Sequence, residues 1–407
     1  MPGSSPYQLP RGAALYLAVV QFFFVTTWTI YVLYLPQLLT AVGLPARYTL
    51  WILMFDQLAF MVMDVATGMA ADRVGRAFGR IGPWIISVTA VSCIAFLLLP
   101  HARALGVAAP AVSLGLIFVW AVTSSALRAP PWVLLSKYAA PPGLPWVNAL
   151  ALSGLAIGGA IAPYLGIALK NLDPRLPFAV SSLTLFAATA GLVWVERRLT
   201  RRPIAAGRPA PPLGELVPGM SLFLVACLVL ALGFQIHTAL NSAPQYLRFS
   251  TPGELEYLLP LFWIGFNVAM FPGAALARRF GTLPVIAAGA LVGAAGAALS
   301  IEAHNLAALI AGQMIAGGAW GCIMMAGFSA ALGFGRTGRE GTALGLLFGM
   351  LAVATLSRMG AVAAQLNKIP DYAMWLTWGP VALWLAGAAV FLGLAATRQI
   401  REGTKET

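Results

Sequence analysis

The chain has 407 residues, of which 60 % are hydrophobic and only 9 % are charged, and its formal net charge is +12. In a water-soluble domain, polar and apolar residues alternate with the repeat of an amphipathic helix or strand. Most apolar runs here would instead form helices that are apolar on every face. This composition excludes a soluble fold. The basic excess alone would suit nucleic acid, but its placement along the chain indicates a membrane topology, and no nucleic-acid partner is expected.

Twelve apolar runs of roughly twenty residues follow one another along the sequence. A bilayer core about 30 Å thick is crossed by about 20 residues of α-helix, which rise about 1.5 Å each. The sequence therefore predicts an all-α membrane protein with twelve transmembrane helices. The predicted spans lie near residues 13–38, 48–71, 82–100, 109–135, 147–169, 177–195, 218–247, 256–278, 283–301, 307–332, 342–366 and 372–396.

A long hydrophilic stretch divides these spans into two sets of six. It begins with the basic run ERRLTRR and continues as proline-rich sequence, which suits a tether. The sequence predicts an N-terminal six-helix bundle over residues 1–195, a cytoplasmic linker over residues 196–217 and a C-terminal six-helix bundle over residues 218–407. Two such bundles joined by a basic loop are typical of transporters built from a parallel repeat.

The basic residues gather on one side of the membrane if the twelve spans alternate in direction. Arg73, Arg76 and Arg80 follow the second span, and the ERRLTRR run follows the sixth. By the positive-inside rule this side is cytoplasmic, so both termini are expected in the cytoplasm. The first apolar run is too long for a cleavable signal peptide. We expect an integral protein of the bacterial inner (plasma) membrane.

The second span ends in a pattern formed by Gly68, Asp72, Arg73, Gly75 and Arg76. This pattern resembles the signature between the second and third spans in the major facilitator superfamily. The resemblance implies two six-helix bundles that alternate access to a site at the membrane midplane. It also implies that the acid and the arginines link helix ends as a gate that favours the outward-facing state. The glycines would allow close approach of helices.

Three further segments point to one branch of that family. Residues 78–85 read FGRIGPWI, residues 120–132 begin and end with tryptophan, and residues 337–341 read TGREG. They resemble, in turn, the xGRxxPWI run, the fourth helix and the TG-x-R-x-EG loop of the sugar–cation symporters. This is the melibiose-permease-like, or glycoside-pentoside-hexuronide, branch. A sugar–cation symporter is therefore one function that the resemblance implies.

The chain departs from that branch at the positions that matter for function. The resemblance implies two acids one turn apart in the second span that hold the coupling cation. The second acid is present as Asp64, but the first position is Phe60, and the acid of the first span is replaced by Phe24. The sugar-binding acid of the fourth span is Arg128, although Trp132 is kept. A basic and apolar site makes an ordinary sugar unexpected.

Asp64 and Arg128 lie inside predicted spans, where a charge needs a partner or water. Asp64 is predicted to carry the coupling ion, H⁺ or Na⁺; the alternative is a structural ion pair with a neighbouring arginine. One carboxylate is a poor cage for Na⁺, because a hard cation prefers several oxygens. Arg128 is permanently charged, so it needs an anion, either Asp64 or a substrate carboxylate or phosphate. Trp132 could stack on the substrate or on the arginine.

Other intramembrane polar residues are further candidates. Asp56, eight residues before Asp64, could line the outer vestibule, cap a gating contact or lie in interfacial water. Arg358 in the eleventh span is predicted to be a second cationic contact to the substrate. In the seventh span, Gln235, His237 and Asn241 are predicted to bind substrate, and the histidine could shuttle protons or only hydrogen-bond. With Gln245 they form a polar set of which three members lie roughly on one stripe of an α-helix.

No sequence feature points to an enzyme. Neither a Walker loop, a GxSxG motif nor a His/Cys/acid cluster is present in the sequence, so we expect no cofactor beyond a coupling ion, and the sequence defines no metal site. The leading prediction is a secondary active transporter, a monomer in the lipid bilayer, that moves a small organic anion or an anionic amphipathic solute by symport with a proton or Na⁺. The alternatives are a sugar symporter, a lysophospholipid or lipophilic-drug carrier, and a non-transporting membrane assembly factor.

Overall fold

The computed structural model describes residues 11–78, 80–136, 143–200 and 217–406, apart from the side chains of Arg76, Phe78, Thr200 and residues 398–406. Within these ranges the chain consists of helices and turns without a strand, which confirms the all-α prediction. The α-helices are α1 (Arg11–Ala41), α2 (Thr49–Phe78), α3 (Gly82–Leu98), α4 (Ala109–Ser124), α5 (Pro130–Ser136), α6 (Leu144–Leu169), α7 (Arg175–Thr200), α8 (Met220–Gln235), α9 (Ser242–Tyr246), α10 (Leu255–Leu258), α11 (Pro260–Phe280), α12 (Thr282–Ile301), α13 (Leu306–Phe334), α14 (Glu340–Ala363) and α15 (Pro370–Glu406).

Eleven helical segments in the described part of the chain are long and apolar enough to cross a membrane. One of them, Gly82–Ser136, has 55 residues and covers the third and fourth predicted spans. It contains a 3-10 stretch at Leu99–Ala108, in which Gly106 has φ 56° and ψ −120°. This non-helical glycine separates α3 from α4, so each predicted span has a helical counterpart. The chain is an integral membrane protein.

The chain divides into two compact units that largely follow the order of the sequence. The exception is the stretch around the start of α14, which lies in the predicted second bundle by sequence order but groups with the first unit. It does so because the start of α14 packs closely on α2. Most of the predicted linker falls in residues 201–216, outside the described residues. The first unit is Met1–Glu215 with Gly335–Gly349, and the second is Leu216–Phe334 with Met350–Thr407.

In the first unit, α1 packs against α6 and α7, and α3 packs against α4 and α7. Glycines set the spacing between α1 and α6. A Cβ atom at Gly154 would overlap the backbone of Ala18, and one at Gly158 would lie 3.0 Å from the Val25 side chain. Close approach of this kind supplies the van der Waals contact that holds membrane helices together, because lipid provides no hydrophobic driving force between them.

In the second unit, α13 packs on both α11 and α12, and α15 packs on α8 and α12. Gly317 of α13 lies so close to the backbone of Phe262 on α11 that a Cβ atom there would overlap it. Trp384 of α15 donates a hydrogen bond from Nε1 to the carbonyl of Leu230 at 2.9 Å. The indole therefore satisfies its polar group inside the bundle while it fixes α15 on α8.

Two spans are not continuous α-helices, and both interruptions lie beside predicted site residues. The fourth span leaves the α-helix after Ser124, passes through a 3-10 turn at Ser125–Leu127 and restarts at Pro130. Proline lacks an N–H and clashes with the preceding turn, so it can begin this helix but not continue the earlier one. The seventh span contains a π-helical turn at Ile236–Asn241. Such turns shift the register of the side chains that follow.

The contact between α1 and α6 gives a test of the packing. We expect Gly154→Ala to lower the thermal stability of the purified protein, because the new methyl group meets the backbone of Ala18, which cannot rotate away. Overpacking of this kind costs about 1–3 kcal/mol. Gly166→Ala on the same helix is the matched control, since a Cβ atom there has nothing within 4 Å. Equal melting temperatures for the two variants in detergent would contradict the packing described here.

Candidate functional site

The predicted coupling residue Asp64 and the arginine Arg128 form an ion pair within the first unit. Arg128 Nε lies 3.1 Å from Asp64 Oδ2, and the exposed fractions of the two side chains are 16 % and 0 %. Neither carboxylate oxygen of Asp64 nor the Arg128 Nε makes an aligned hydrogen bond. The contact is therefore mainly electrostatic. The sequence predicted either Asp64 or a substrate anion as the partner of Arg128, and Asp64 is in contact with it.

The break in the fourth span places Arg128 next to α2. Arg128 has φ −91° and ψ −83°, outside the helical range, and its N–H donates to the carbonyl of Ser125 at 3.1 Å. A broken helix leaves carbonyl groups without intrahelical donors, and these must be satisfied inside a membrane protein. The buried Gln21 of α1 donates from Nε2 to the carbonyl of Leu127 at 2.9 Å. An α1 side chain thus stabilises the break that presents the arginine.

Two aromatic rings flank the Arg128 guanidinium. Its central carbon lies 4.7 Å from the centroid of Phe60 and 5.0 Å from that of Phe348. A guanidinium is attracted to the face of an aromatic ring, and more strongly where water is excluded. Phe60 occupies the position where the resembled branch has its first acid. An aromatic face thus stands beside the arginine where that branch has a carboxylate.

Asp72 of the signature binds the first turn of α14. Its Oδ1 accepts a hydrogen bond from the N–H of Gly341 at 2.7 Å. Its Oδ2 accepts from the N–H of Thr342 at 2.8 Å and from the Thr342 hydroxyl at 2.7 Å. The first N–H groups of a helix have no intrahelical acceptor and carry the positive end of its dipole, so a carboxylate stabilises this helix end. Both segments stand out in the sequence, but no pattern in it predicts that they meet.

Glycines bring α2 and α14 into contact beside this carboxylate. A Cβ atom at Gly68 would overlap the Gly341 carbonyl, and one at Gly345 would overlap the backbone of Asp64. Gly341 and Gly345 lie one helical turn apart on α14, so the backbone of α14 packs directly on the backbone of α2. Gly75, further along the signature, lies against Ile81, whose side chain a Cβ atom would meet at 3.3 Å.

The signature arginines are placed differently from its acid. Arg73 is exposed, and the side chain of Arg76 lies outside the described part of the chain. A second acid near the signature was not singled out from the sequence: Glu196 is buried at the end of α7. It accepts hydrogen bonds from the N–H groups of Ile81 at 2.8 Å and Gly82 at 3.0 Å. It therefore caps the start of α3 as Asp72 caps the start of α14.

Arg358 lies within the second unit on α14. Its Nε donates to Gln235 Oε1 of α8 at 3.0 Å, and Gln235 Nε2 donates in turn to Thr355 Oγ1 at 2.9 Å. The arginine is only partly buried. Among the residues that the structure describes, its hydrogen-bond partner is a neutral amide, and no carboxylate pairs with it. The two predicted site residues Gln235 and Arg358 are therefore in direct contact.

His237 lies in the π-helical turn and is fully buried. Its ring centroid is 6.1 Å from that of Phe262 and 5.9 Å from that of Trp384. Neither ring nitrogen makes an aligned hydrogen bond among the described residues, but the Gln313 side chain lies near enough to interact with the ring. The imidazole is thus packed among aromatic side chains and the amide of Gln313.

The remaining residues of the predicted stripe do not share one face. Asn241 donates from Nδ2 to the carbonyl of Leu376 on α15 at 2.8 Å. Gln245 accepts instead from Gln313 Nε2 of α13 at 2.9 Å. The α-helical spacing that predicted a stripe does not hold across the π-helical turn, because that turn has a wider hydrogen-bond repeat. Trp132 of the first unit is buried as well.

Asp56 is fully buried on α2, which excludes the reading of a carboxylate in interfacial water. Its Oδ2 accepts a hydrogen bond from the Tyr31 hydroxyl at 2.8 Å. No pattern in the sequence predicts this pairing, because the partner lies on another helix. Across the described residues, no group of three or more His, Cys, Asp or Glu side chains is arranged to hold a metal ion.

Solved structures of membrane transporters share this fold. A bacterial homologue of the iron transporter ferroportin has 14 % identity and a TM-score of 0.74, covering 94 % of this chain and 99 % of its own. The Escherichia coli fucose:proton symporter has 15 % identity and a TM-score of 0.68, covering 96 % and 99 %. The human organic anion transporter MFSD10 has 17 % identity and a TM-score of 0.65, covering 95 % and 98 %. No curated protein sequence matches the chain significantly.

The fold is that of a multispan membrane transporter, and a family model agrees with it. Residues 17–357 match the model of the Major Facilitator Superfamily, and the chain belongs to this family. It is a transporter rather than an enzyme. The family prediction made from the signature is confirmed, whereas the melibiose-permease-like branch stays a prediction.

The two buried acids at helix starts can be tested by hydrogen–deuterium exchange. We expect Asp72→Asn to speed amide exchange at the start of α14 by about tenfold or more, because charge-assisted hydrogen bonds contribute about 1.5–3 kcal/mol. Glu196→Gln is the matched control, since it should speed exchange at the start of α3 and leave α14 unchanged. If either variant affects both helix starts equally, the two caps are not independent local contacts.

Proposed function

We propose that this chain is a secondary transporter that couples the movement of a small organic anion to that of a proton by alternating access. In this proposal Arg358 binds the anionic group of the substrate, with Gln235 beside it. Asp64 carries the coupling ion, and its partner Arg128 responds to the charge of Asp64. The observation that carries the proposal is that Arg358, among the described residues, has no carboxylate partner.

A guanidinium within a membrane span needs an anion or water. Arg358 is partly buried on α14, and among the described residues its partner is the neutral amide of Gln235. The acids of the second unit whose side chains the structure describes lie near helix starts or ends, not in the middle of a span. They are Glu254, Glu256, Glu302 and Asp371.

 None of these four carboxylates is paired with Arg358. An anionic substrate supplies the missing charge, and the planar fork of the guanidinium matches a carboxylate in two hydrogen bonds.

The ion pair of the first unit supports the coupling role of Asp64. Asp64 is fully buried and is held to Arg128 without an aligned hydrogen bond. When a proton binds Asp64, its charge is cancelled and the attraction to Arg128 is lost. Arg128 keeps its contacts with Phe60 and Phe348, so the cation stays in place with its charge uncompensated. Protonation of Asp64 thereby raises the net positive charge of the first unit, which is how the proposal links proton binding to binding of an anion.

The contact of Asp72 with α14 supports a gating role for the signature. Gly341 and Thr342 donate three hydrogen bonds to this one carboxylate. We propose that this contact forms in one access state and is released in the other, so that its strength sets the balance between them. We place it on the cytoplasmic side because basic residues gather at this end of the predicted spans.

Fold similarity does not select a substrate, because the similar folds include a fucose:proton symporter, a bacterial homologue of an iron transporter and an organic anion transporter. The residues of this chain favour the anion. Arg128 stands where the resembled branch has its sugar-binding acid, which argues against a sugar. Phe234, which precedes Gln235 in the sequence, stacks on Trp320 with ring centroids 4.4 Å apart, so the segment of α8 that carries Gln235 is otherwise apolar, and we propose an organic rather than an inorganic anion. A lipophilic anion falls within the same proposal.

Arg358→Lys tests the anion contact. Binding is measured as the thermal shift caused by a panel of organic carboxylates, each paired with its neutral amide. We expect the carboxylates, and not the amides, to stabilise the wild type. The variant should bind them about tenfold or more weakly, since an ammonium cannot reproduce a bidentate contact worth about 1–3 kcal/mol.

Arg248→Lys is the matched control for that experiment. Arg248 also belongs to the second unit, but its guanidinium donates to the carbonyls of Ile301 and Ala303. We expect this variant to bind the carboxylates as the wild type does. Amides that bind as tightly as carboxylates, or equal losses in both variants, would rule out Arg358 as the anion contact.

Asp64→Asn tests the coupling role. In proteoliposomes, the variant should lose accumulation of a bound carboxylate against its gradient when a pH gradient is imposed, yet keep exchange of labelled for unlabelled substrate. Because Asn leaves Arg128 without a counter-ion, we also expect lower thermal stability, restored in part by adding Arg128→Gln. The exposed Asp371→Asn is the control. Accumulation at the wild-type rate by Asp64→Asn refutes this role for the residue.

A further inference from the structure

Asp56 is a second buried carboxylate on α2, and the mechanism above does not use it. It is fully buried, and the Tyr31 hydroxyl donates to its Oδ2 at 2.8 Å. Its other oxygen, Oδ1, has no hydrogen-bond partner among the described residues. Asp56 lies eight residues before Asp64, which is about 12 Å along a helix. The two carboxylates are therefore separate sites.

Aromatic rings pack around Tyr31, the hydrogen-bond partner of Asp56. The Tyr31 ring centroid lies 4.4 Å from that of Trp120 and 5.5 Å from that of Trp28. Trp28 in turn stacks on Trp120 with centroids 5.4 Å apart. Tyr31 and Trp120 are both buried. The hydroxyl that binds Asp56 thus belongs to a ring held among aromatic side chains, and Asp56 itself is shut away from bulk water.

The described charged groups on the neighbouring elements do not neutralise Asp56. Helix α4 carries no ionisable side chain, and Tyr34 of α1 donates to the carbonyls of Leu169 and Leu172. The turn before α2 holds Arg47, which is exposed and lies over the ring of Tyr48. Beyond α4 the fourth span offers Arg128, which pairs with Asp64.

An ionised carboxylate shut away from water without a cation costs several kcal/mol. The space at Oδ1 is bounded by protein, and a proton is the counter-ion that needs no further ligands. We propose that Asp56 is a second proton-binding site, at which the proton binds Oδ1 while Tyr31 holds Oδ2. The carboxylate and one proton give the neutral acid, and release to water reverses the step. Tyr31 is a positioning residue for this site.

This inference rests on the proposed function, because a second proton site has a role only in an ion-coupled transporter. It adds that the protein binds protons at two carboxylates on α2, Asp56 and Asp64. Its test can nevertheless be made without any substrate, so its failure is distinguishable from failure of the organic-anion proposal.

The experiment is infrared difference spectroscopy of the purified protein in lipid, recorded between acidic and alkaline buffer. A carboxylic acid has a carbonyl stretching band that its carboxylate lacks. We expect one such band to be lost in Asp56→Asn and a different one to be lost in Asp64→Asn. The exposed Asp173→Asn should leave both bands unchanged. An Asp56→Asn spectrum that superimposes on that of the wild type in this region overturns the proposal.

Tyr31→Phe provides a second variant, should Asp56→Asn fail to fold. Loss of the tyrosine hydroxyl removes the hydrogen bond to Oδ2, so the frequency of the Asp56 band should shift while the Asp64 band stays. Tyr34→Phe is the matched control, because the Tyr34 hydroxyl binds backbone carbonyls on another element. If Tyr31→Phe leaves every carboxylic acid band in place, the assignment of the proton to Asp56 is wrong.

Discussion

The structure depends on one constraint, which is that a bilayer cannot solvate charge. Every ionisable side chain in a span must find a counter-charge, an aromatic face or a dipole within the protein. Asp64 meets this need with Arg128, and Arg128 adds the faces of Phe60 and Phe348. Because these partners come from different helices, the charges also determine which helices meet. The polar residues are few, and each therefore has a large effect on packing.

The sequence was sufficient for the fold because the bilayer sets a simple rule. About twenty apolar residues predict a span, and each predicted span has a helical counterpart. The signature from Gly68 to Arg76 then indicated the family, which the match over residues 17–357 confirms. Asp64 and Arg128 were recognisable for the same reason, since a charge in an apolar run stands out.

The partners of these residues could not be predicted in the same way. The contact between Asp72 and Thr342 joins residues 270 positions apart, and no local pattern encodes it. The polar residues of the seventh span were placed on one face by assuming an α-helix, and the π-helical turn at Ile236–Asn241 removed that register. Asp56 was ambiguous because burial depends on Tyr31 and the rings around it, which lie on other helices. Sequence thus identifies where charge is buried, and tertiary contact decides what it binds.

The helix caps made by Asp72 and Glu196 limit how the sequence can vary among relatives at these two contacts. Both acids bind backbone N–H groups, which every residue except proline supplies whatever its side chain. The donor positions Gly341 and Gly82 are constrained by space instead: a Cβ atom at Gly341 would overlap the Gly68 carbonyl, and one at Gly82 would lie 2.6 Å from Glu196 Oε2. The constraint therefore falls on the acid and on the glycine that faces it. An alignment of relatives would then show a fixed acid opposite a fixed glycine, and analysis of covarying pairs would fail to detect the contact, because neither position varies.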